Sequence, residues 1–279
     1  MYSAEISRKN PGCFIFLLDQ SASMEDPFGG SSDRRKADEL ATIINKLIHN
    51  LSIRCAKGDS MYDYFHVGVI GYGQDTVVKS AFDGALTGKD LIPISDLANN
   101  PLRIEDRTKK ADDGAGGLVE QTVKFPLWFE PRHVGGTPMS SAFKMAAEIV
   151  QRWVAEHPKG FPPIVINITD GEATDGDPVP EAKALCSLGS DDGAALVFNI
   201  HLSSAAANPI ELPASDEGLP DKFAKQLFEM SSSLTPFMIG RAKELGMPAG
   251  DGARGFIFNA QPMQVIQFLD IGTRPANLR

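Results

Sequence analysis

The chain alternates between short apolar runs and longer segments in which apolar residues recur every three or four positions. Uninterrupted apolar runs are typical of strands buried on both faces of a sheet. They predict strands at 13–18, 64–72, 163–169, 194–202 and 255–259, with a further strand over 76–82 that is an antiparallel edge candidate. The helical periodicity predicts helices at 34–57, 137–154, 179–188, 221–232, 235–245 and 262–271. This alternation predicts a doubly wound α/β fold, with a mostly parallel central sheet flanked by helices.

The segment 83–131 departs from that alternation. It contains a possible first arm at 102–105, a glycine-rich stretch at 112–117 and a β-rich second arm at 118–125. Glycine between two such arms indicates a turn, so we expect a β-hairpin or loop insertion within one domain that spans 1–279. Trp128 and Phe129 are expected to pack this insertion onto the domain, with an exposed partner patch as the alternative.

Composition and charge narrow the range of partners and locations. The chain has 279 residues, a formal net charge of −9 and a sequence pI near 5.1. Nucleic acids and anionic membranes attract basic surfaces, so we expect neither as a partner. The three cysteines, Cys13, Cys55 and Cys186, form no CxxC pair and are interpreted as buried thiols. With no apolar stretch long enough for a leader or a span, we expect a cytoplasmic protein.

Oxygen-bearing side chains directly follow two of the predicted strands and stand at the start of one predicted helix. Asp19, Ser21 and Ser23 come directly after the first strand, Thr137 lies in a Gly-Gly-Thr-Pro segment that opens a helix, and Asp170 follows the strand at 163–169. The carboxyl ends of parallel strands meet at one edge of a sheet, where ligands bind in such folds. Carboxylates and hydroxyls suit a hard divalent cation, so we expect a metal site there.

These residues, in this order, resemble the metal-ion-dependent adhesion site of von Willebrand factor A (vWA) domains. The resemblance implies a Rossmann-like vWA fold, direct metal contacts from Ser21, Ser23 and Thr137, and direct or water-bridged contacts from Asp19 and Asp170. Mg²⁺ is the implied ion, with Mn²⁺ and Ca²⁺ as alternatives. It further implies a non-enzymatic module that captures a Glu or Asp side chain of a partner protein at the open coordination position. The chain looks closest to bacterial cytoplasmic members, including TerY-like proteins, which suggests a regulatory or stress-response complex.

The same residues also fit a metal-free scaffold or a different function. Ser21 and Ser23 could cap a turn, Thr137 could cap its helix and Asp170 could start a turn, leaving a metal-free scaffold. The rival function is a Mg²⁺-dependent phosphohydrolase of the haloacid dehalogenase type, which also begins with an aspartate after a strand. Such enzymes need a second aspartate two residues later as general acid, and here that position is Ser21.

The remaining polar residues of these loops carry weaker signals. Asp175 and Asp177 lack the spacing of an EF-hand, and we interpret them as solvated acids or as groups outside the ligand shell. The five histidines form no ligand pair at useful spacing, so zinc is not expected. His133 precedes Thr137 by four residues and is interpreted as a surface loop residue.

Overall fold

The computed structural model describes residues 4–29, 33–58, 60–73, 77–112, 118–204 and 208–273. Its strands are β1 (Gly12–Asp19), β2 (Ala56–Lys57), β3 (Ser60–Met61), β4 (Phe65–Tyr72), β5 (Val78–Ser80), β6 (Ile92–Pro93), β7 (Arg103–Asp112), β8 (Leu118–Leu127), β9 (Ile164–Thr169), β10 (Gly189–Ser190), β11 (Gly193–Ala194), β12 (Leu196–Leu202), β13 (Ile210–Glu211) and β14 (Phe256–Ala260). Its helices are α1 (Lys36–Cys55), α2 (Ile94–Asn99), α3 (Met139–Glu156), α4 (Val179–Ser187), α5 (Lys222–Met230), α6 (Pro236–Glu244) and α7 (Pro262–Thr273).

A mostly parallel sheet forms the centre of the molecule. Strands β14, β12, β9, β1 and β4 lie side by side in that order, and all run parallel. The short strands β5 and β6 pair antiparallel with β4, and β13 pairs antiparallel with β14. The chain passes from β1 to β4 on one side and later places β9 on the other side. The carboxyl ends of β1 and β9 therefore flank a topological switch point, where open α/β sheets bind ligands.

Helices cover both faces of this sheet. Alternate residues of β1 point to opposite sides, so that Phe14 and Phe16 pack with α1, α2, α6 and α7. Ile15 and Leu17 pack with α3, α4 and α5 on the other face. This arrangement explains why the central strands are continuous apolar runs, since neither face of the sheet meets water. The prediction of a central, mostly parallel sheet flanked by helices is confirmed.

The first part of the segment 83–131 pairs with the main sheet, and its later part forms a separate two-stranded sheet. Its β6 pairs with β4, α2 follows at once, and β7 and β8 then pair antiparallel over ten residue pairs as the two arms of a hairpin. The glycine-rich turn expected between them at 112–117 lies, from 113 on, outside the described residues. Trp128, at the base of the hairpin, is 1 % exposed, and its Nε1 donates to the carbonyl oxygen of Leu97 at 2.6 Å. Phe129 is also 1 % exposed. Packing of this aromatic pair onto the domain is thereby confirmed.

The predicted helices and central strands agree with the structure in kind and nearly in extent. The first arm of the insertion, expected at 102–105, is the longer β7, Arg103–Asp112, and helix α2 is not among the predicted elements. The helix predicted over 34–57 is α1, Lys36–Cys55, and the edge strand predicted over 76–82 is β5, which ends one side of the sheet. Cys13 and Cys55 are buried thiols and Cys186 is half-buried, all three being free. Within the described ranges, no helix combines the length and the apolar character that a bilayer crossing requires.

Candidate functional site

Asp19 is the last residue of β1 and lies in the floor of the candidate site. Its side chain accepts hydrogen bonds at both carboxylate oxygens, from the backbone N–H of Ser21 to Oδ1 at 2.8 Å and from the hydroxyl of Thr169 to Oδ2 at 2.6 Å. Thr169 ends the neighbouring strand β9 and is fully buried. The two adjacent parallel strands therefore fix this carboxylate, which is 1 % exposed.

The hydroxyls that follow Asp19 connect it to the second acidic loop. Ser21 Oγ and Ser23 Oγ lie 3.0 Å apart, and Ser23 Oγ donates to Oδ1 of Asp170 at 2.8 Å. Ser21 stands at the N-cap of a 3₁₀ helix over 22–25, but its side chain makes no capping hydrogen bond. The interpretation of these serines as turn caps therefore does not hold for Ser21, and both hydroxyls belong to one polar cluster with Asp170.

Backbone hydrogen bonds hold the Gly-Gly-Thr-Pro segment against the loop after β1. The N–H of Val134 donates to the carbonyl of Gln20 at 2.7 Å, and the N–H of Ala22 donates to the carbonyl of Gly135 at 3.0 Å. Thr137, two residues further on, is 5 % exposed. The third predicted segment thus reaches the same edge of the sheet as Asp19 and Asp170.

Thr137 does not cap the following helix, so the alternative interpretation of this residue as a helix cap does not hold. Helix α3 begins at Met139 with Pro138 at its N-cap, which offers no capping side chain. Asp175 takes that role instead, because its carboxylate accepts the backbone N–H groups of Ser140 at 3.0 Å and Ser141 at 2.8 Å. A carboxylate at a helix N-terminus satisfies free N–H groups and complements the helix dipole.

The loop after β9 is also tied to Thr137. Thr174 Oγ1 accepts from the N–H of Thr137 at 2.9 Å, and the N–H of Thr174 donates to the carbonyl of Thr137 at 2.9 Å. Asp175 and Asp177 are exposed, as expected of solvated acids, yet both make backbone contacts: Asp177 Oδ1 accepts from the N–H of Val179 at 3.0 Å. All three loops are thereby joined to one another around the predicted ligands.

Lys36 is a member of this cluster that sequence reasoning missed. Its side chain is 2 % exposed, and Nζ contacts Oδ2 of Asp170, whose side chain is 1 % exposed. Nζ also donates to Ser204 Oγ at 2.7 Å. A signal was available, because Lys36 lies one helical turn before Leu40 and two before Ile44, on the buried stripe of α1.

The two carboxylates form a crowded negative pair. Burial raises the pKa of Asp19 to about 6, and the charge of Asp170 acts in the same direction, against the hydrogen bonds from Ser21 and Thr169. Buried carboxylates of like charge are stabilised by a nearby cation. The ammonium of Lys36 already supplies one such charge to Asp170. Two acids and three hydroxyls are also the kind of oxygen donors that a hard divalent ion takes.

Two further observations bear on the site. Among the described residues, no group of three or more His, Cys, Asp or Glu is placed to hold a metal ion, and the candidate set here contains only two acids. His133 is half-buried rather than a free surface residue, with Nε2 3.0 Å from Nη1 of Arg35 and Nδ1 3.9 Å from Glu25.

The chain matches no protein-family model, and no curated protein matches it.

Proposed function

We propose that the chain is a vWA-type protein-interaction module that binds Mg²⁺, with Mn²⁺ and Ca²⁺ as alternatives. The ligands are the hydroxyls of Ser21, Ser23 and Thr137, with Asp19 and Asp170 as direct or water-bridged carboxylates. A partner protein supplies a Glu or Asp side chain to the same site. We assign the module to the bacterial cytoplasmic, TerY-like type, working in a regulatory or stress-response complex.

The observation that carries this proposal is the contact chain from Asp19 to Asp170. The backbone N–H of Ser21 donates to Asp19 Oδ1 at 2.8 Å, and the hydroxyls of Ser21 and Ser23 lie 3.0 Å apart. Ser23 Oγ then donates to Oδ1 of Asp170 at 2.8 Å, so the contacts join acids that lie far apart in the sequence. The position supports the proposal too, since the contacts lie where β1 and β9 end at the switch point. Neither Ser21 nor Thr137 caps a helix with its hydroxyl, and Ser21 Oγ instead contacts Ser23 Oγ within the cluster.

The donor chemistry explains why such a site would recruit an acidic partner. Mg²⁺ takes six oxygen ligands and usually keeps several waters, so that a position is left for an exchangeable ligand. When bound, the ion supplies an electrophilic centre for a carboxylate. Ser23 is exposed and opens the cluster to solvent, whereas Asp19 forms the buried floor. A partner side chain therefore approaches from the Ser23 side.

The phosphohydrolase alternative is disfavoured by the surroundings of Asp19. A nucleophilic aspartate needs a free carboxylate oxygen that faces substrate. Both oxygens of Asp19 already accept hydrogen bonds from within the chain, and the side chain is 1 % exposed. Ser21 occupies the general-acid position, and a hydroxyl is a weak acid at neutral pH. We therefore expect no Mg²⁺-dependent turnover of a general phosphatase substrate.

Calorimetric titration with Mg²⁺ and Mn²⁺ tests the ligand set. We expect one site in the wild-type protein, weakened by at least about tenfold in Asp19→Asn and in the Ser21→Ala/Ser23→Ala double variant, because each change removes an oxygen donor or its charge. Asp177→Asn is the matched control, since Asp177 lies in the same acidic loop but contacts Val179 and Gln226 instead. Undiminished binding in the ligand variants would refute the assignment.

Partner capture is tested separately by affinity purification from a native lysate. Proteins that bind through the site should be retained by the wild-type chain in Mg²⁺, released by chelator and absent from the Asp19→Asn sample. Retention that ignores both chelator and the substitution contradicts capture through the metal.

A further inference from the structure

A buried ammonium contacts one of the proposed metal ligands from inside the protein. Lys36 is the first residue of α1, and its Nζ donates to Oδ2 of Asp170 and to Oγ of Ser204. Nζ also lies 3.7 Å from Oδ2 of Asp26. The backbone fixes this geometry, because the N–H of Lys36 donates to the carbonyl oxygen of Asp26 at 3.0 Å.

Such a lysine is costly to bury unless an anion compensates it. With a side chain only 2 % exposed, Lys36 is nearly removed from water, and Asp170 is its closest acidic partner. The benefit is mutual, because hydrogen bonds through Ser21 and Ser23 connect Asp170 to a second buried carboxylate, that of Asp19. The ammonium thus offsets part of the repulsion between two acids that the fold brings together.

We propose that Lys36 is a resident counter-cation of the Asp19–Asp170 pair, which stabilises the metal-free protein and lowers the affinity of the site for divalent ions. The first half stands on the contacts of Lys36, and the second half rests on the proposed metal-binding function. Lys36 is a positioning and affinity-setting residue, not a ligand, since an ammonium has no lone pair to offer a metal.

The effect on metal affinity follows from charge. A unit charge of like sign within about 4–6 Å disfavours a charged state by one or more pKa units, which is a factor of about ten or more. The Lys36 ammonium touches the carboxylate that would also bind the dication, so that it acts at this range. Removing the ammonium while keeping the side-chain length should therefore tighten Mg²⁺ and Mn²⁺ binding by about 10- to 100-fold.

The test compares Lys36→Met with Lys46→Met. Both changes remove one positive charge from α1, but Lys46 is exposed on the outer side of the helix. In chelator, Lys36→Met should melt several degrees below Lys46→Met; in calorimetry it should bind Mn²⁺ more tightly, while Lys46→Met behaves as wild type. Lys36→Arg keeps the charge and should not tighten binding. Equal melting temperatures, or Mn²⁺ affinity in Lys36→Met at or below that of wild type, overturn the proposal.

An Asp170→Asn background separates the two halves of the argument. There the ammonium has lost its closest anionic partner and keeps only Asp26 at 3.7 Å, so Lys36→Met should cost much less stability. The double variant should fold even if Lys36→Met alone does not. Persistence of the full stability loss in this background overturns the pairing. If no variant binds Mn²⁺, the metal-binding function fails, whereas the melting comparison still decides whether Lys36 is the counter-cation.

Discussion

The hydroxyl of Tyr72 donates a 2.6 Å hydrogen bond to Oδ1 of Asn167, from one neighbour of β1 to the other. Asn167 Nδ2 donates to Oδ1 of Asn199 on β12 at 3.0 Å, and Asn199 Nδ2 donates to Ser231 Oγ at 3.0 Å. All four residues are buried. A continuous polar chain thus crosses the sheet within the layer covered by α3, α4 and α5.

Replacing Asn167 by leucine should destabilise the protein by about 2–4 kcal/mol, because buried partners on both sides would lose a hydrogen bond. Tyr72→Phe removes a single hydroxyl and should cost less, about 1 kcal/mol. Because the two side chains contact each other, the double variant should lose less than the combined single losses. Urea unfolding measures all three, and additive losses would argue against a connected network.

His201, near the end of β12, should make the free energy of unfolding of the protein sensitive to acid. Burial lowers the pKa of His201 to about 4, against the opposing charges of Asp170 and Asp221. In the unfolded chain the imidazole binds its proton near pH 6.5. Between these values the unfolded state holds more protons, so stability is fully present above about pH 6.5 and is lost as pH falls toward about 4.

The His201→Gln variant isolates the contribution of His201 to the pH dependence of stability, since glutamine does not titrate. The wild-type free energy of unfolding should fall by on the order of 2–3 kcal/mol more than that of the variant as the pH is lowered through this window. Above it, the two proteins should differ by a constant that reflects the lost stacking on Phe258, whose ring centroid lies 4.3 Å away. Parallel pH profiles would show that His201 contributes nothing to the acid response.

Gly73 permits the close approach of the loop that carries the proposed metal ligands. A Cβ at this position would lie 2.3 Å from the carbonyl carbon of Gln20 and 2.6 Å from the backbone nitrogen of Ser21. Gly73→Ala should therefore displace the loop and weaken Mn²⁺ binding by about tenfold, without removing any ligand. Its control is Gly71→Ala, where the added carbon meets only the end of the Gln20 side chain. Equal Mn²⁺ affinities in the two variants would contradict this prediction.

Asp175→Ala should cost about 1 kcal/mol of stability, because the first N–H groups of α3 lose their acceptor. Asp175→Asn keeps an oxygen acceptor and should recover most of that loss. Burial opposes ionisation of Asp175, but hydrogen bonds from Ser141 and Ser140 outweigh it and lower the pKa. The stability contributed by the ionised Asp175 carboxylate is therefore fully present above its pKa in the unfolded chain. It is lost as the pH falls through its lower pKa in the folded protein. Thermal melts of both variants at neutral and acidic pH measure it.

Sequence patterns were sufficient for the central sheet because each parallel strand is apolar on both faces and is followed by a polar turn. Runs such as Gly12–Asp19 and Ile164–Thr169 leave little choice of element, and their carboxyl ends then have to meet at one edge. The short antiparallel pairs are different. β6 has only two residues, Ile92–Pro93, and its pairing with β4 depends on tertiary contacts that no local pattern encodes.

The proposed ligands could be selected from sequence because they directly follow predicted strands or open a helix. The groups that position them are harder to select, even though the helical periodicity places Lys36 on the buried stripe of α1. Lys36 belongs to a residue type that is almost never fully buried unless it is paired, so a surface position is the default expectation. Asp175 caps α3 across a gap of 34 residues from Ser141, whereas capping signals are read from adjacent positions. Long-range pairings of this kind are set by the fold.

The hairpin of β7 and β8 exposes two free edges, since within the described residues these strands pair only with each other. Free edges carry unpaired backbone N–H and C=O groups that can pair edge to edge with strands of other molecules. The two strands of this hairpin carry charged side chains at Arg103, Glu105, Asp106, Arg107 and Lys124. Charged residues on exposed strands disfavour such pairing, so the hairpin can keep its edges unpaired without promoting aggregation.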